Sequence, residues 1–351
     1  MSLFEGRRRV VVKVGSSLLV GEEGELREAW LDALAADIVA LGCEAMVVSS
    51  GAVALGRKRL GLSGALSLAE KQACAAAGQS RLTQGYERAF AAHDRVAAQA
   101  LLTLDDTEVR RRWLNGRQTL ETLLGLGAIP VVNENDTVAT DEIRYGDNDR
   151  LAARAAQMVG ADLLVLLSDI DGLYDSDPKT HASARHLPVI ERLDETIMAM
   201  GGAAGSAHGT GGMATKLLAA RIATEAGCDM VVCDGREAGA LGRLGQGARH
   251  TLFKAQSRRS ARAGWIAGSL KPTAVLLIDA GAALALEEGR SLLAVGIREV
   301  RGDYSKGATV SIQGPDGELA RGLARCGAGD VDRLRHERGA VVVHRDDMVM
   351  L

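Results

Sequence analysis

Residues 163 to 174 read L-L-V-L-L-S-D-I-D-G-L-Y. Leu163 to Leu167 is a run of Leu and Val alone, short enough for one strand and without the polar alternation of a half-exposed one. A strand apolar on both faces must be covered on both faces, and that is the signature of a parallel sheet with helices on each side. Its end, Ser168-Asp169-Ile170-Asp171-Gly172, is short and polar, and in a doubly wound sheet the carboxyl ends of the strands share one ligand-binding rim. Asp169 and Asp171 also suit plain capping and turning of the chain.

The same pattern recurs upstream. Arg9 to Val14 is a β-branched run broken by Lys13 and closed by Gly15-Ser16-Ser17; Lys13 either snorkels from an edge strand or offers its ammonium to an anion. Ala45 to Val48 ends in Ser49-Ser50-Gly51-Ala52, small residues that let a ligand approach the amides of a helix start. Ala128 to Val132 ends in two polar bursts, Asn133-Glu134-Asn135-Asp136 and, behind Gly146, Asp147-Asn148-Asp149. One such burst is an ordinary turn or helix cap. Two within a single long strand-to-helix connection point to a working loop.

Helices are expected between these strands. Leu26 to Leu41 carries apolar residues every third or fourth position, Ser67 to Glu70 is a capping box opening an Ala-rich helix to Ala92, and Thr107 to Leu124 carries Arg110, Arg111, Arg112 and Arg117 on a basic face. That face reads as solvated, with an inter-subunit contact as the other option. Val96 to Thr103 is a further strand, Arg150 to Met158 a helix, and Met230 to Cys233 the last strand of the sheet. Between them, Gly201 to Gly212 is glycine-rich and runs through Met213-Ala214-Thr215 to Lys216 and a helix, Leu217 to Ala226. Glycines admit a phosphate to backbone amides at a helix start, and Lys216 lies one turn inside; a flexible linker is the competing account. Neither G-x-x-x-x-G-K-[ST] nor G-x-G-x-x-G occurs.

At 351 residues the chain calls for two domains, and composition shifts after Thr251. Basic residues from Lys254 to Arg262 form a linker or edge, and past Pro272 short β-like runs (274–279, 292–295, 309–312 and 340–344) suggest a small, mostly β domain. The expected division is 1–255, a basic linker 256–271, and 272–351. Charged residues make up 25% of the chain and the net charge is −3, which gives no general attraction to nucleic acid or anionic membrane. No apolar run approaches the ~20 residues of a bilayer span, and the N-terminus lacks a signal-peptide core, so a cytoplasmic location is expected. Five cysteines without a C-x-x-C pair indicate neither a disulfide framework nor a zinc site.

Two lysines and two Gly/Ser-rich helix starts on one rim suit a polyphosphate, while the carboxylates and amides of 133–149 suit a metal and a small zwitterion. Phosphoryl transfer asks mainly for positioning and charge neutralisation. In order, K-x-G-S-S at Lys13, S-S-G-A at Ser49, N-E-N-D at Asn133, G-D-N-D at Gly146, S-D-x-x-G-L-Y at Ser168, G-T-G-G-M-x-T-K at Gly209 and V-H-R-D-D at Val343 resemble the glutamate 5-kinase family over nearly the whole chain. The resemblance implies an amino-acid kinase fold followed by a PUA-like domain. It implies phosphorylation of the side-chain carboxylate of L-glutamate by ATP with Mg²⁺, the first step towards proline. By motif it gives Lys13, Lys216 and Asp149 catalytic roles, with Asp149 holding both ammoniums. Ser50, Asn133, Asp136, Asp147 and Asn148 are given to the substrate. Lys13, Ser168, Asp169 and the run Thr210, Gly211, Gly212, Met213, Ala214, Thr215 and Lys216 are given to ATP, and no metal ligand is singled out. Ser49 and Ser168 stand where the family has Thr, and the hydroxyl is kept. The family further implies a homo-oligomer, dimer or tetramer, and proline feedback overlapping residues 133 to 149. Two other readings stand beside this one: a sister kinase acting on a different carboxylate, carbamate or phosphate acceptor, and an RNA-binding protein acting through the PUA-like tail, whose balanced charge gives that reading weak support.

Overall fold

The computed structural model describes residues 3–138, 147–178, 180–181, 183–201, 212–255, 272–315, 317–337 and 339–350. Two compact units emerge, Met1–Arg258 and Arg259–Leu351.

The first unit begins with β1 (Arg9–Val14), α1 (Ser16–Leu19), α2 (Glu28–Ala40), β2 (Glu44–Val48), α3 (Ala52–Arg59), α4 (Leu68–Ala91) and β3 (Ala97–Leu102). It continues with α5 (Leu104–Glu108), α6 (Arg110–Gly125), β4 (Ile129–Glu134), α7 (Asp147–Val159) and β5 (Leu163–Ser168). A short hairpin β6 (Leu173–Tyr174) and β7 (His186–Leu187) follows, then β8 (Val189–Ile190), α8 (Glu195–Ala199), α9 (Met213–Glu225), β9 (Asp229–Asp234), α10 (Ala240–Gly245) and β10 (His250–Phe253). Eight strands form one sheet in the order β3-β4-β2-β1-β5-β9-β10-β8. All neighbours from β3 to β9 run parallel, as the Leu/Val strand implied.

β1 is therefore central, flanked by β2 and β5, and its valines are fully buried. Each such side chain contributes about 1.5–3 kcal/mol on leaving water. Successive residues of a strand face opposite sides, and the two sides have different partners. Val10, Val12 and Val14 join the core made with α2 and α4. Val11 and Lys13 face the other way, towards α7 and α9, whose buried alanines (Ala152, Ala155, Ala156, Ala219, Ala220 and Ala223) allow the two helices to pack closely. That parity decides the fate of Lys13. The edge-strand account of it fails, because β1 is in the middle of the sheet and Lys13 is only 9% exposed.

Several elements depart from expectation. Met230 to Cys233 does not close the sheet: β10 adds antiparallel to β9, with Thr251 and Phe253 fully buried, and β8 adds parallel to β10. The polar run from Thr251 thus begins as a strand, because pairing with β9 outweighs its composition. Gly15-Ser16-Ser17 leads into the short helix α1, and the expected helix 107–124 is two, broken at Val109, whose extended backbone closes α5 and opens α6. On α6 Arg111, Arg112 and Arg117 are exposed, with Arg117 paired to Glu121 at 2.9 Å and Arg112 to Asp106 at 3.1 Å. α7 starts at Asp147, three residues earlier than expected. The capping box of α4 is present as read, Ser67 accepting from the Glu70 amide and Glu70 accepting from the Ser67 amide. The five cysteines are free thiols, with Cys74, Cys228 and Cys233 buried.

The second unit comprises β11 (Ala274–Ile278), α11 (Ala280–Glu287), β12 (Leu292–Leu293), β13 (Ile297–Arg301), β14 (Thr309–Gly314), β15 (Gly317–Ala324), α12 (Val331–Leu334) and β16 (Val341–Met350). Its six strands are ordered β12-β16-β15-β14-β11-β13 around Leu276, Val310, Ile312, Val342 and Val343, the small, mostly β core expected from the glycine-separated runs. The basic linker 256–271 lies outside the described residues.

Candidate active site

The carboxyl ends of β1, β2, β4 and β5 meet on one rim. Lys13 is the penultimate residue of β1, in register with Val48 of β2 and Leu166 of β5. Over it, α7 places Asp149 and α9 places Lys216. Lys13 Nζ lies 2.6 Å from Asp149 Oδ1, and Lys216 Nζ lies 3.4 Å from Asp149 Oδ2. Thr215 Oγ1 donates to Asp149 Oδ2 at 3.2 Å, or to the Gly212 carbonyl at 2.9 Å. One carboxylate, on a residue 1% exposed, thus stands between two lysines that are themselves under 10% exposed. Burial pushes the Asp149 carboxyl upward, but the charges of Lys13 and Lys216 outweigh it and hold the group below its ordinary range. Asp149 also lies in the first turn of α7, where the helix dipole favours a negative charge.

Beside this bridge lies a cluster of amides and hydroxyls. Asn148 Nδ2 is 3.0 Å from the Ser49 carbonyl, 2.5 Å from Ser50 Oγ and 3.3 Å from Asn133 Oδ1. Asn133 Oδ1 accepts the Glu134 amide at 2.9 Å, and Asn133 Nδ2 donates to Gln79 Oε1 at 2.8 Å. Backbone groups settle every orientation here: the Ser49 carbonyl can only accept, and the Glu134 N–H can only donate. With Nδ2 so fixed, Asn148 Oδ1 is left buried with no hydrogen-bond donor among the described residues. Ser50 accepts from Asn148, which leaves its own proton to donate. An orphan acceptor and a free hydroxyl donor side by side suit an ammonium and a carboxylate.

The remaining expected residues fall in three groups. Ser168 ends β5 and its hydroxyl donates to Asp169 Oδ1 at 3.1 Å, with Asp169 exposed on the rim. Gly212 is the N-cap of α9 with no side-chain cap among the described residues, and Met213, Ala214 and Thr215 form the first turn, a helix start of the kind that binds phosphate. Asp136 is half-buried just past β4. Thr210, Gly211 and the loop 139–146 lie outside the described residues, as does the side chain of Asp147. Asp171 serves the turning account, accepting from Tyr174 Oη at 3.0 Å and pairing with Arg249 at 3.4 Å. A pocket of about 450 Å³ opens at the opposite, amino-terminal rim beside Arg7, Cys43, Glu44 and Arg95, and none of the expected site residues lines it.

Sequence reading gave α4 a purely structural part, yet it supplies two of these contacts. Gln79 meets Asn133, and the fully buried Tyr86 hydroxyl lies 3.0 Å from Ser49 Oγ. Burial pushes the Tyr86 hydroxyl well above its ordinary range, so it stays protonated. The available signal was a pair of polar residues seven apart, two turns along one helix face.

As for metals, no group of three or more His, Cys, Asp or Glu is placed to hold an ion among the described residues. Asp149, the most buried carboxylate of the site, is already engaged by two lysines. The described donors do not make a metal cage.

A mostly parallel α/β sheet with paired lysines, a helix start and a cluster of amides and hydroxyls on one carboxyl rim is an arrangement that suits an anionic, phosphate-bearing ligand. The model of the amino acid kinase family matches residues 8–234, and that of the PUA domain matches 274–345. The chain belongs to the amino acid kinase family. It is 52% identical to glutamate 5-kinase of Paramagnetospirillum magneticum over 100% of both chains, and 52% identical to glutamate 5-kinase of Caulobacter vibrioides over 99% of this chain and 97% of that one. Among solved structures it is similar to UMP kinase from Bacillus anthracis, with a TM-score of 0.49 and 16% identity over 72% of this chain and 97% of that chain. No described helix is long and apolar enough to cross a membrane.

Proposed function

We propose that this chain transfers the γ-phosphoryl group of ATP to the side-chain carboxylate of L-glutamate, giving L-glutamyl 5-phosphate and ADP, the first step of proline biosynthesis. The observation that carries the chemistry is the Lys13–Asp149–Lys216 bridge. The names of the full-length relatives support glutamate as the acceptor.

The reaction follows from the charges. A glutamate side chain with a pKa near ~4.3 is ionised at neutral pH and needs no general base. Its oxygen forms a bond to the γ-phosphorus as the bond to the β-phosphate oxygen breaks, and ADP leaves with the electron pair. Lys13 and Lys216 neutralise charge on the moving group, and Asp149 holds both ammoniums. Ser50, Asn148 and Asn133, with Asp136 and Asp147, receive the amino-acid head group. Ser168, Asp169 and the run 210–216 hold the nucleotide. Mg²⁺ in this scheme travels with the nucleotide phosphates and their waters, and no step runs through a protein-held metal.

In this assignment catalysis resides in 1–255, 256–271 is a basic linker, and 272–351 is a PUA-like domain. The enzyme is cytoplasmic and a homo-oligomer. Proline, which carries the same ammonium and carboxylate, competes with glutamate at the Ser50–Asn148 cluster. ADP release measured with glutamate, aspartate, N-acetylglutamate and carbamate tests the reading. Turnover with glutamate alone is expected; turnover with another acceptor in preference to glutamate contradicts it.

A further inference from the structure

We infer that Gln79 is a positioning residue for the amino-acid site, acting through Asn133 on Asn148 and its buried acceptor oxygen. The inference rests on the glutamate-phosphorylating reading above and deepens it.

The relay begins on α4. Thr83 Oγ1 donates to the Gln79 carbonyl at 3.0 Å, so it is an acceptor for Gln79 Nε2, 3.5 Å away. That contact turns the Gln79 amide so that Oε1 points at Asn133, whose Nδ2 donates to it at 2.8 Å. Asn133 is 1% exposed, so water is a poor substitute for that acceptor. Its Oδ1 is consequently held against the Glu134 amide and Asn148 Nδ2. Asn148 Nδ2 is thereby committed to protein acceptors, and its Oδ1 keeps its place as a buried atom with no donor among the described residues. A donor for that atom is what a substrate ammonium brings. No described residue of the Lys13–Asp149–Lys216 bridge takes part in the relay, so the effect should reach amino-acid binding and leave the nucleotide alone.

Gln79 is half-buried on a long helix, so Gln79→Met and Gln79→Ala remove the acceptor with helix-forming residues. Gln79→Glu keeps an acceptor oxygen at the same reach. With either Met or Ala, KM for glutamate is expected to rise about ten-fold, the order set by leaving one buried donor without an acceptor, with KM for ATP and kcat unchanged. The Glu variant is expected to restore KM for glutamate towards wild type. An unchanged KM for glutamate in Met and Ala variants of an active enzyme overturns the inference alone, as does an equal rise in KM for ATP, or a Glu variant as impaired as Met. A wild-type enzyme that does not turn over glutamate overturns the functional reading, and the inference with it.

Discussion

Lys13 Nζ and Asp149 Oδ1 lie 2.6 Å apart, the end of a central strand against the first turn of a helix packed over it. The pair exists because successive residues of β1 face opposite sides, turning Val12 and Val14 to one core and Lys13 to the other face. Asp149 binds Lys216 through its other oxygen, so a single carboxylate spaces two cations across the position proposed for the transferring phosphoryl. Asp149→Asn removes the charge and leaves two buried ammoniums facing each other. Removing one partner of a buried ion pair costs about 3–5 kcal/mol, and loss of aligned charge at a reacting centre lowers kcat by roughly 10²–10³. Steady-state kinetics with a thermal melt on the same sample check this; a folded variant with wild-type kcat refutes the organising role of Asp149.

The same carboxylate makes stability depend on acid. Its pKa is held down in the folded protein, so the folded state binds fewer protons than the unfolded chain, whose Asp titrates near ~3.9. The contribution is complete above that value and is lost as pH falls through the folded pKa. Urea unfolding from pH 7 to pH 3 should show the gap between wild type and Asp149→Asn constant down to about pH 5 and closing below it. A gap that widens as pH falls reverses the assigned sign.

Ser50→Ala leaves Asn148 its contacts to the Ser49 carbonyl and Asn133, so the cluster survives without one hydroxyl. The lost group is the one free to donate to a substrate carboxylate. A hydrogen bond to a charged group is worth about 1.5–3 kcal/mol, so KM for glutamate should rise roughly 10- to 100-fold with KM for ATP unaffected. Equal changes in both constants would place Ser50 elsewhere in the reaction.

Gly51 sits at the N-cap of α3 with φ of 107°, a region that L side chains rarely adopt. A Cβ there would come within 3.1 Å of Val20 Cγ2. Gly51→Ala should therefore lose about 1–2 kcal/mol of stability, read as a lower urea midpoint at unchanged slope. An unshifted midpoint would mean that the turn after β2 relaxes freely.

Much of this site was legible before any coordinates. The uninterrupted Leu163–Leu167 run announced a covered, parallel strand, and short polar residues after β1, β2, β4 and β5 marked the rim. What sequence could not supply was the partner across space. Whether Lys13 reached water or an acid depended on what lay over its face of β1, and α7 and α9 come from residues more than a hundred positions away. Asp147 to Asp149 read as loop because Asn and Asp suit turns and helix starts alike; the structure makes them the start of α7. β10 was hidden because four residues opening a polar stretch become a strand only through the register with β9. Gln79 and Tyr86 were hidden for the opposite reason, on a helix whose cap and alanines explained it well enough without them.

The roles proposed for Lys13, Asp149 and Lys216 all require that the side-chain carboxylate of glutamate becomes phosphorylated. The direct measurement is to run wild-type enzyme with ATP, Mg²⁺ and L-glutamate in hydroxylamine and identify the trapped product by mass spectrometry. An acyl phosphate at the side chain yields glutamate γ-hydroxamate in step with ADP, and that is the predicted result. ADP release without any hydroxamate, or a hydroxamate at the α-carboxyl group, would contradict it.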